Sequence, residues 1–216
     1  VMAVVDPDFM LSVQPKFTAY QGFDALFHSM ESYINKTSNM MRDMIALEAI
    51  EAVGRNLATA CADGKNVYAR ERVAFGSSLG GLVMSVDNLY SEHSMEHPLS
   101  AYHHEIAHGA GLIMISRAYF THMAQNCPEL KDRFVNMARA LGKEDASEAM
   151  DFVAALVELQ KACGVDDLKM SDYGVTPDEF PKFAANARST MGILFKMDRI
   201  QLSDEDLVKI YTESYK

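Results

Sequence analysis

Tryptophan is absent from the 216 residues, and cysteine occurs only three times, as Cys61, Cys127 and Cys163. An odd number with no C-x-x-C pair argues against a disulfide scaffold and a four-cysteine zinc site, and it fits a reducing, cytoplasmic setting. No apolar run nears the ~20 residues that a membrane-spanning helix needs, and no basic leader precedes an apolar stretch. Neither a membrane protein nor a secretory signal is expected. Basic residues are also scarce: 20 Lys and Arg stand against 30 Asp and Glu, for a net charge of −10. A phosphate backbone would be repelled overall, which argues against nucleic acid as a partner. The G-x-G-x-x-G and Walker loops, the G-x-S-x-G elbow and the H-E-x-x-H zinc helix are all missing from the sequence. No period of roughly 20–50 residues recurs, which excludes a solenoid.

What is present suits a globular fold. Hydrophobic residues make up 49% and charged residues 23%, too apolar for disorder. At ~150 residues per domain the length suits one domain, or one plus a fragment. A chain of this size buries about 70% of its unfolded surface. The fifteen methionines read as adaptable core filler. Val1-Met2-Ala3-Val4-Val5, ending at Asp6-Pro7-Asp8, reads as a buried strand and a turn, with a frayed end as the alternative. No second strand follows, and unpaired buried backbone is costly. The sheet is therefore expected outside this chain. Residues 1–13 are read as the remnant strand and turn of an absent domain, and 14–216 as one all-helical domain, an all-α multi-helix bundle.

The helices follow from apolar spacing of three or four. Thr18 to about Asn35 carries Tyr20, Phe23, Phe27, Met30 and Ile34 on one face, with Thr18-x-x-Gln21 as a capping box and Pro15 upstream. Asn39 to Cys61 continues the pattern and stops near Asp63-Gly64. Asn66 to about Val86 contains Gly76, Gly80 and Gly81, which weaken a helix and so imply close packing. Further helices are expected over Gly109–Asn126, Pro128–Leu141 and Ser147–Cys163, then from Thr176-Pro177-Asp178-Glu179 and from Ser203 through Tyr211.

Five of the seven histidines, His93, His97, His103, His104 and His108, fall within sixteen residues. In Asp24-x-x-x-His28 a carboxylate and an imidazole share one helix face, one turn apart. His93-x-x-x-His97 repeats that spacing, with Pro98 behind it making a helix there less regular. His108-Gly109 opens the next helix. Three segments thus each offer ligands suited to a borderline divalent metal. A di-iron carboxylate bundle needs two Glu-x-x-His motifs, and only Glu105-x-x-His108 is present. Ser91, Ser94 and Ser100 have no triad spacing. His103, His104 and His122 read as surface or loop residues.

Three of these segments resemble one known family. Gly22-Phe23-Asp24-Ala25-Leu26-Phe27-His28-Ser29-Met30-Glu31 looks like the G-x-D-A-L-x-H-x-x-E helix of the iron-containing alcohol dehydrogenases. His93-Ser94-Met95-Glu96-His97-Pro98-Leu99-Ser100 resembles their H-x-x-x-H-P-L-[GS] segment, and His108-Gly109 the H-G that follows. Asp6-Pro7 and the closing Leu202–Leu207 and Ile210-Tyr211 are similar to further landmarks. The resemblance implies a two-domain parent, with a nucleotide-binding α/β domain first and an all-helical metal domain second. This chain would be the second, with the last strand of the first attached.

Carried over residue by residue, the resemblance implies metal ligands at Asp24, His28, His93 and His108. His97 falls on the histidine near the nicotinamide, with a role in proton handling. The cofactors implied are Fe²⁺, with Zn²⁺ as the substitute, and NAD or NADP held mainly by the other domain. The substrates implied are a small alcohol and its aldehyde or ketone. A homo-oligomer is compatible with the resemblance. Two departures stand out. The stretch from His93 to His108 is one residue longer than the commonest spacing, which leaves His104 as the alternative to His108. Ser116 stands where many members have Pro. Two other classes compete with a dehydrogenase: a non-catalytic metal-binding helical domain, and a metal-dependent helical hydrolase.

Overall fold

The computed structural model describes residues 2–85 and 90–216. Ten α-helices are formed among the described residues: α1 Pro15–Ile34, α2 Met40–Gly54, α3 Leu57–Ala62, α4 Val67–Ser85, α5 Ser91–Tyr102, α6 His108–Asn126, α7 Lys131–Ala140, α8 Ala149–Ala162, α9 Phe180–Phe195 and α10 Asp204–Ser214. No strand occurs among them, so the fold is all-α. No helix among the described residues is long and apolar enough to cross a membrane.

Several starts have visible local causes. Pro15 opens α1, where its missing N–H is an orphan in any case and its fixed φ suits the first turn. Asn39 caps α2 by accepting from Met41 N and Arg42 N. The capping boxes at Thr176/Glu179 and Ser203/Asp206 both form. A single 3₁₀ turn, Pro177–Glu179, precedes α9.

Four expectations need correction. Residues 2–5 form no strand, and Met2, Val4 and Val5 are exposed rather than buried; a strand needs a ladder partner, and none lies among the described residues. Val1, like the Val86 end of the third expected helix, lies outside the described residues. Helix α1 begins at Pro15, three residues before Thr18. The Thr18 hydroxyl does not cap; it accepts from the buried Arg70 guanidinium at 2.6 Å. The helix expected over 39–61 is broken after Gly54 into α2 and α3. Gly54 lies hard against Leu141, whose Cδ2 would be 2.5 Å from an added Cβ. Asn56 then leaves helical geometry, at φ −122°, and its side-chain amide donates back to Ala52 O.

Helix α1 is central and packs on α2, α3, α4, α6 and α7. Helix α6 carries α5, α8 and α10 on its other sides, and α9 closes over α5 and α10. Phe23, Phe27, Phe120, Phe134 and Phe152 form a fully buried aromatic column between α1, α6, α7 and α8. The helix glycines behave as expected at two of three positions. A Cβ on Gly76 would sit 2.6 Å from Val53, and one on Gly80 would sit 3.0 Å from Ser29 Oγ, whereas Gly81 has nothing within 4 Å.

Candidate metal centre

Helix α1 presents Asp24 and His28 one turn apart, with His28 Nδ1 3.5 Å from Asp24 Oδ1. Helix α5 presents His93 and His97, and it runs as a helix through Pro98. Helix α6 begins at His108. Their packing brings His93 Nε2 to 3.4 Å and His108 Nε2 to 3.6 Å from the same atom, Asp24 Oδ1. The His28 and His93 rings stack at 4.4 Å, and the His93 and His97 rings each lie about 5.5 Å from that of His108. Among the described residues, Asp24, His93 and His108 form one group of donors that could share an ion, and Glu96, His97 and His108 form another. His28 stands beside the first group rather than within it.

Two close approaches set this geometry. A Cβ on Gly109 would lie 2.2 Å from the Tyr20 carbonyl oxygen, so only glycine lets the first turn of α6 lie against α1. The start of α5 has no side-chain cap of its own. Instead Glu31, fully buried on α1, accepts from Tyr90 N at 2.7 Å and His93 N at 3.0 Å. Asp198 accepts from Ser91 N at 3.2 Å. The Glu31 carboxylate opposes the partial positive charge of the helix N-terminus favourably, and fixes the register of His93 against Asp24.

Each imidazole of the group has a second carboxylate behind it. Glu31 Oε1 is 2.9 Å from His93 Nδ1. Glu96, fully buried on α5, pairs with His108 Nδ1. His108 Nδ1 bonds Glu96, whereas His93 Nδ1 lies near Glu31 without hydrogen-bond geometry; with Nδ1 protonated on each ring, both Nε2 lone pairs face a carboxylate oxygen. Three electron pairs converging on one point require a cation or protons between them. Ligands about 2.1 Å from a common ion lie roughly 3–3.5 Å from one another, which the two distances to Asp24 Oδ1, 3.4 and 3.6 Å, approach. The donor set therefore fits a borderline divalent metal.

Protons take the cation's part otherwise. Burial alone would depress His93, but the Glu31 charge and the bond to Asp24 outweigh it and push His93 up to about 10. His108 is likewise raised against burial, by Glu96 first. Burial would raise Asp24, yet the hydrogen bond from His93 and the charges of His28 and His108 hold it below its usual range. His28 and His97 are lowered, by burial first and then by neighbouring imidazolium charge, with nearby carboxylates opposing.

The other histidines fall apart from this group. His104 is exposed in the loop before α6. His103 is held by Tyr173 O and Glu179. His122, expected at the surface or in a loop, is instead buried on α6 with Nε2 3.9 Å from Asp206 Oδ1. Sequence reasoning gave no role to Glu31 or Glu96. The spacing Asp24, His28, Glu31 was a signal for the first, since all three share one helix face. Glu96 has no such signal, because its partner lies on another helix.

The helical fold thus converges imidazoles and a carboxylate where one cation would fit. The chain belongs to the Fe-containing alcohol dehydrogenase family, whose C-terminal model matches residues 18–215. Among its relatives, the 1,3-propanediol dehydrogenase of Klebsiella pneumoniae is 31% identical over 86% of this chain and 48% of its own. That of Citrobacter freundii is 30% identical over 99% of this chain and 55% of its own. Among solved structures, an archaeal alcohol dehydrogenase from a Red Sea brine pool superposes with a TM-score of 0.89 at 29% identity, covering 97% of this chain and 53% of that one. The chain thus spans about half the length of the relatives it matches.

Proposed function

We propose that this chain is the metal-binding part of an iron-type alcohol dehydrogenase, which interconverts a small or primary alcohol and its aldehyde or ketone with NAD or NADP. The observation that carries the reading is the convergence of His93 Nε2 and His108 Nε2 on Asp24 Oδ1. Asp24, His28, His93 and His108 would hold the ion, iron with zinc as the substitute. When bound, the ion supplies Lewis-acid polarisation of a substrate oxygen and the nicotinamide carries the hydride.

The chain's own residues do the rest. Asp24 supplies the one anionic ligand among the four. Its charge offsets part of the ion's and leaves a net positive site for the substrate oxygen. His97, half-buried beside His108, is kept neutral by burial. A neutral imidazole there accepts the hydroxyl proton and passes it toward solvent. The nucleotide-binding half that the family resemblance implies would lie outside these 216 residues, which span about half the length of the relatives. Alcohols as small as 1,3-propanediol are consistent with the names of two relatives.

The test is nicotinamide-dependent oxidation of small alcohols by the longer protein that contains this chain. Turnover is expected there, absent from the 216-residue chain alone, and reduced about 100-fold by His97→Ala. A longer protein with no nicotinamide-dependent activity, or an unchanged His97→Ala rate, would contradict the assignment. Phosphatase or esterase activity without nicotinamide would favour the hydrolase.

A further inference from the structure

We propose that Glu31 and Glu96 are positioning residues: Glu96 fixes His108 as its Nδ1–H tautomer and Glu31 anchors the backbone of His93, so that both Nε2 lone pairs are presented to one cation. This rests on the metal reading above and deepens it.

Both carboxylates are fully buried, and each reaches an imidazole from the side away from Asp24. Glu96 does so at a local cost. Its Oε1 has no hydrogen-bond partner, and a buried unpaired carboxylate oxygen is unfavourable. Packing alone gives no reason for it, since an apolar side chain of similar size would fill the space without that penalty. The neighbouring helix also gives way to it. A Cβ on Gly111 would lie 2.4 Å from Glu96 Oε1 and 2.8 Å from its Cγ. Helix α6 thus carries a glycine, at a loss of helix propensity, at the one point where a side chain would displace this carboxylate.

The need for such a group is plain from His108. It is the first residue of α6 and its side chain, 36% exposed, is the least enclosed of the three grouped donors. The bond to Glu96 supplies both orientation and tautomer, as outer carboxylates do for histidine ligands generally. Glu31 lies 2.9 Å from His93 Nδ1 without bonding it, and binds two backbone N–H groups at the start of α5. Its removal would disturb helix and ligand together, so Glu96 gives the cleaner test.

The experiment is Co²⁺ titration of the metal-free 216-residue chain, read by visible absorbance, with thermal unfolding of each metal-free variant alongside. Glu96→Ala is expected to weaken Co²⁺ binding by about 10–100-fold. Glu96→Gln, which keeps an acceptor for Nδ1–H, is expected to recover most of that loss. Gly111→Ala, which leaves the carboxylate present but displaced, is expected to weaken binding as well. Should Glu96→Ala fail to fold, Glu96→Asp, too short to reach Nδ1, takes its place. A merely structural Glu96 would lower the thermal midpoint of the metal-free chain and leave the Co²⁺ affinity of the folded protein unchanged, and that result overturns the inference. His108→Ala separates the two levels. If it loses Co²⁺ while Glu96→Ala does not, the positioning role fails and the metal reading stands. If the unaltered chain takes up no Co²⁺, the metal reading fails and the positioning role with it.

Discussion

Asp198 and Glu31 meet the same helix end but sit in different company. Asp198 Oδ1 binds Ser91 N, while its Oδ2 has no partner and the residue is 2% exposed. Burial pushes its carboxyl well above the ordinary range; the bonds from Ser91 oppose this and the charge of Glu31 adds to it. In the unfolded chain an aspartate titrates near pH 3.9. As pH rises from there, the folded state keeps a proton that the unfolded state has released, so stability falls with rising pH. Each pH unit over which the two states differ is worth about 1.4 kcal/mol. Asp198→Asn keeps an acceptor for Ser91 N and removes the titration. Its urea midpoint is expected to exceed that of the unaltered chain at about pH 8, and the gap is expected to close toward about pH 4. A variant less stable at both would contradict this. The histidines and Asp24 were legible in the sequence because side chains one turn apart announce a shared face. Glu96 was not, because a glutamate on a helix looks the same whether solvent or another helix covers it, and Glu31 was signalled only by sharing the face of Asp24 and His28.

At Gly109 the first turn of α6 meets the backbone of α1 directly, with no side chain between. At Gly109 an added Cβ would meet Tyr20 O at 2.2 Å and Tyr20 C at 2.7 Å, and neither can swing aside as a side chain would. Gly109→Ala is expected to cost about 1–3 kcal/mol by overpacking and to move His108 away from Asp24. Urea unfolding and Co²⁺ uptake read the two effects, and full stability with normal uptake would contradict the account. Most elements were readable from apolar spacing, because burial of one face leaves a period of 3.6. The helices with the strongest caps, α2 and α10, start where Asn39 and Ser203 predict. The break after Gly54 was not readable, because its cause is Leu141 on the far side of the chain. The first turn of α1 was misread because the Thr18 hydroxyl is committed to Arg70 rather than to a cap.

The molecule as a whole joins two features that the sequence presents separately: a helical core built around α1 and α6, and a histidine cluster. Only the crossing of α1, α5 and α6 makes the second a site, since no single helix carries a whole group of donors. Any ion that binds the folded state alone also stabilises it, so chelation is expected to lower the thermal midpoint. The most direct test is the metal content of the 216-residue chain purified without oxygen or chelator, measured by elemental mass spectrometry. The account predicts about one iron or zinc per chain, lost in His93→Ala. Absence of metal from the unaltered chain, or full retention by His93→Ala, would contradict it.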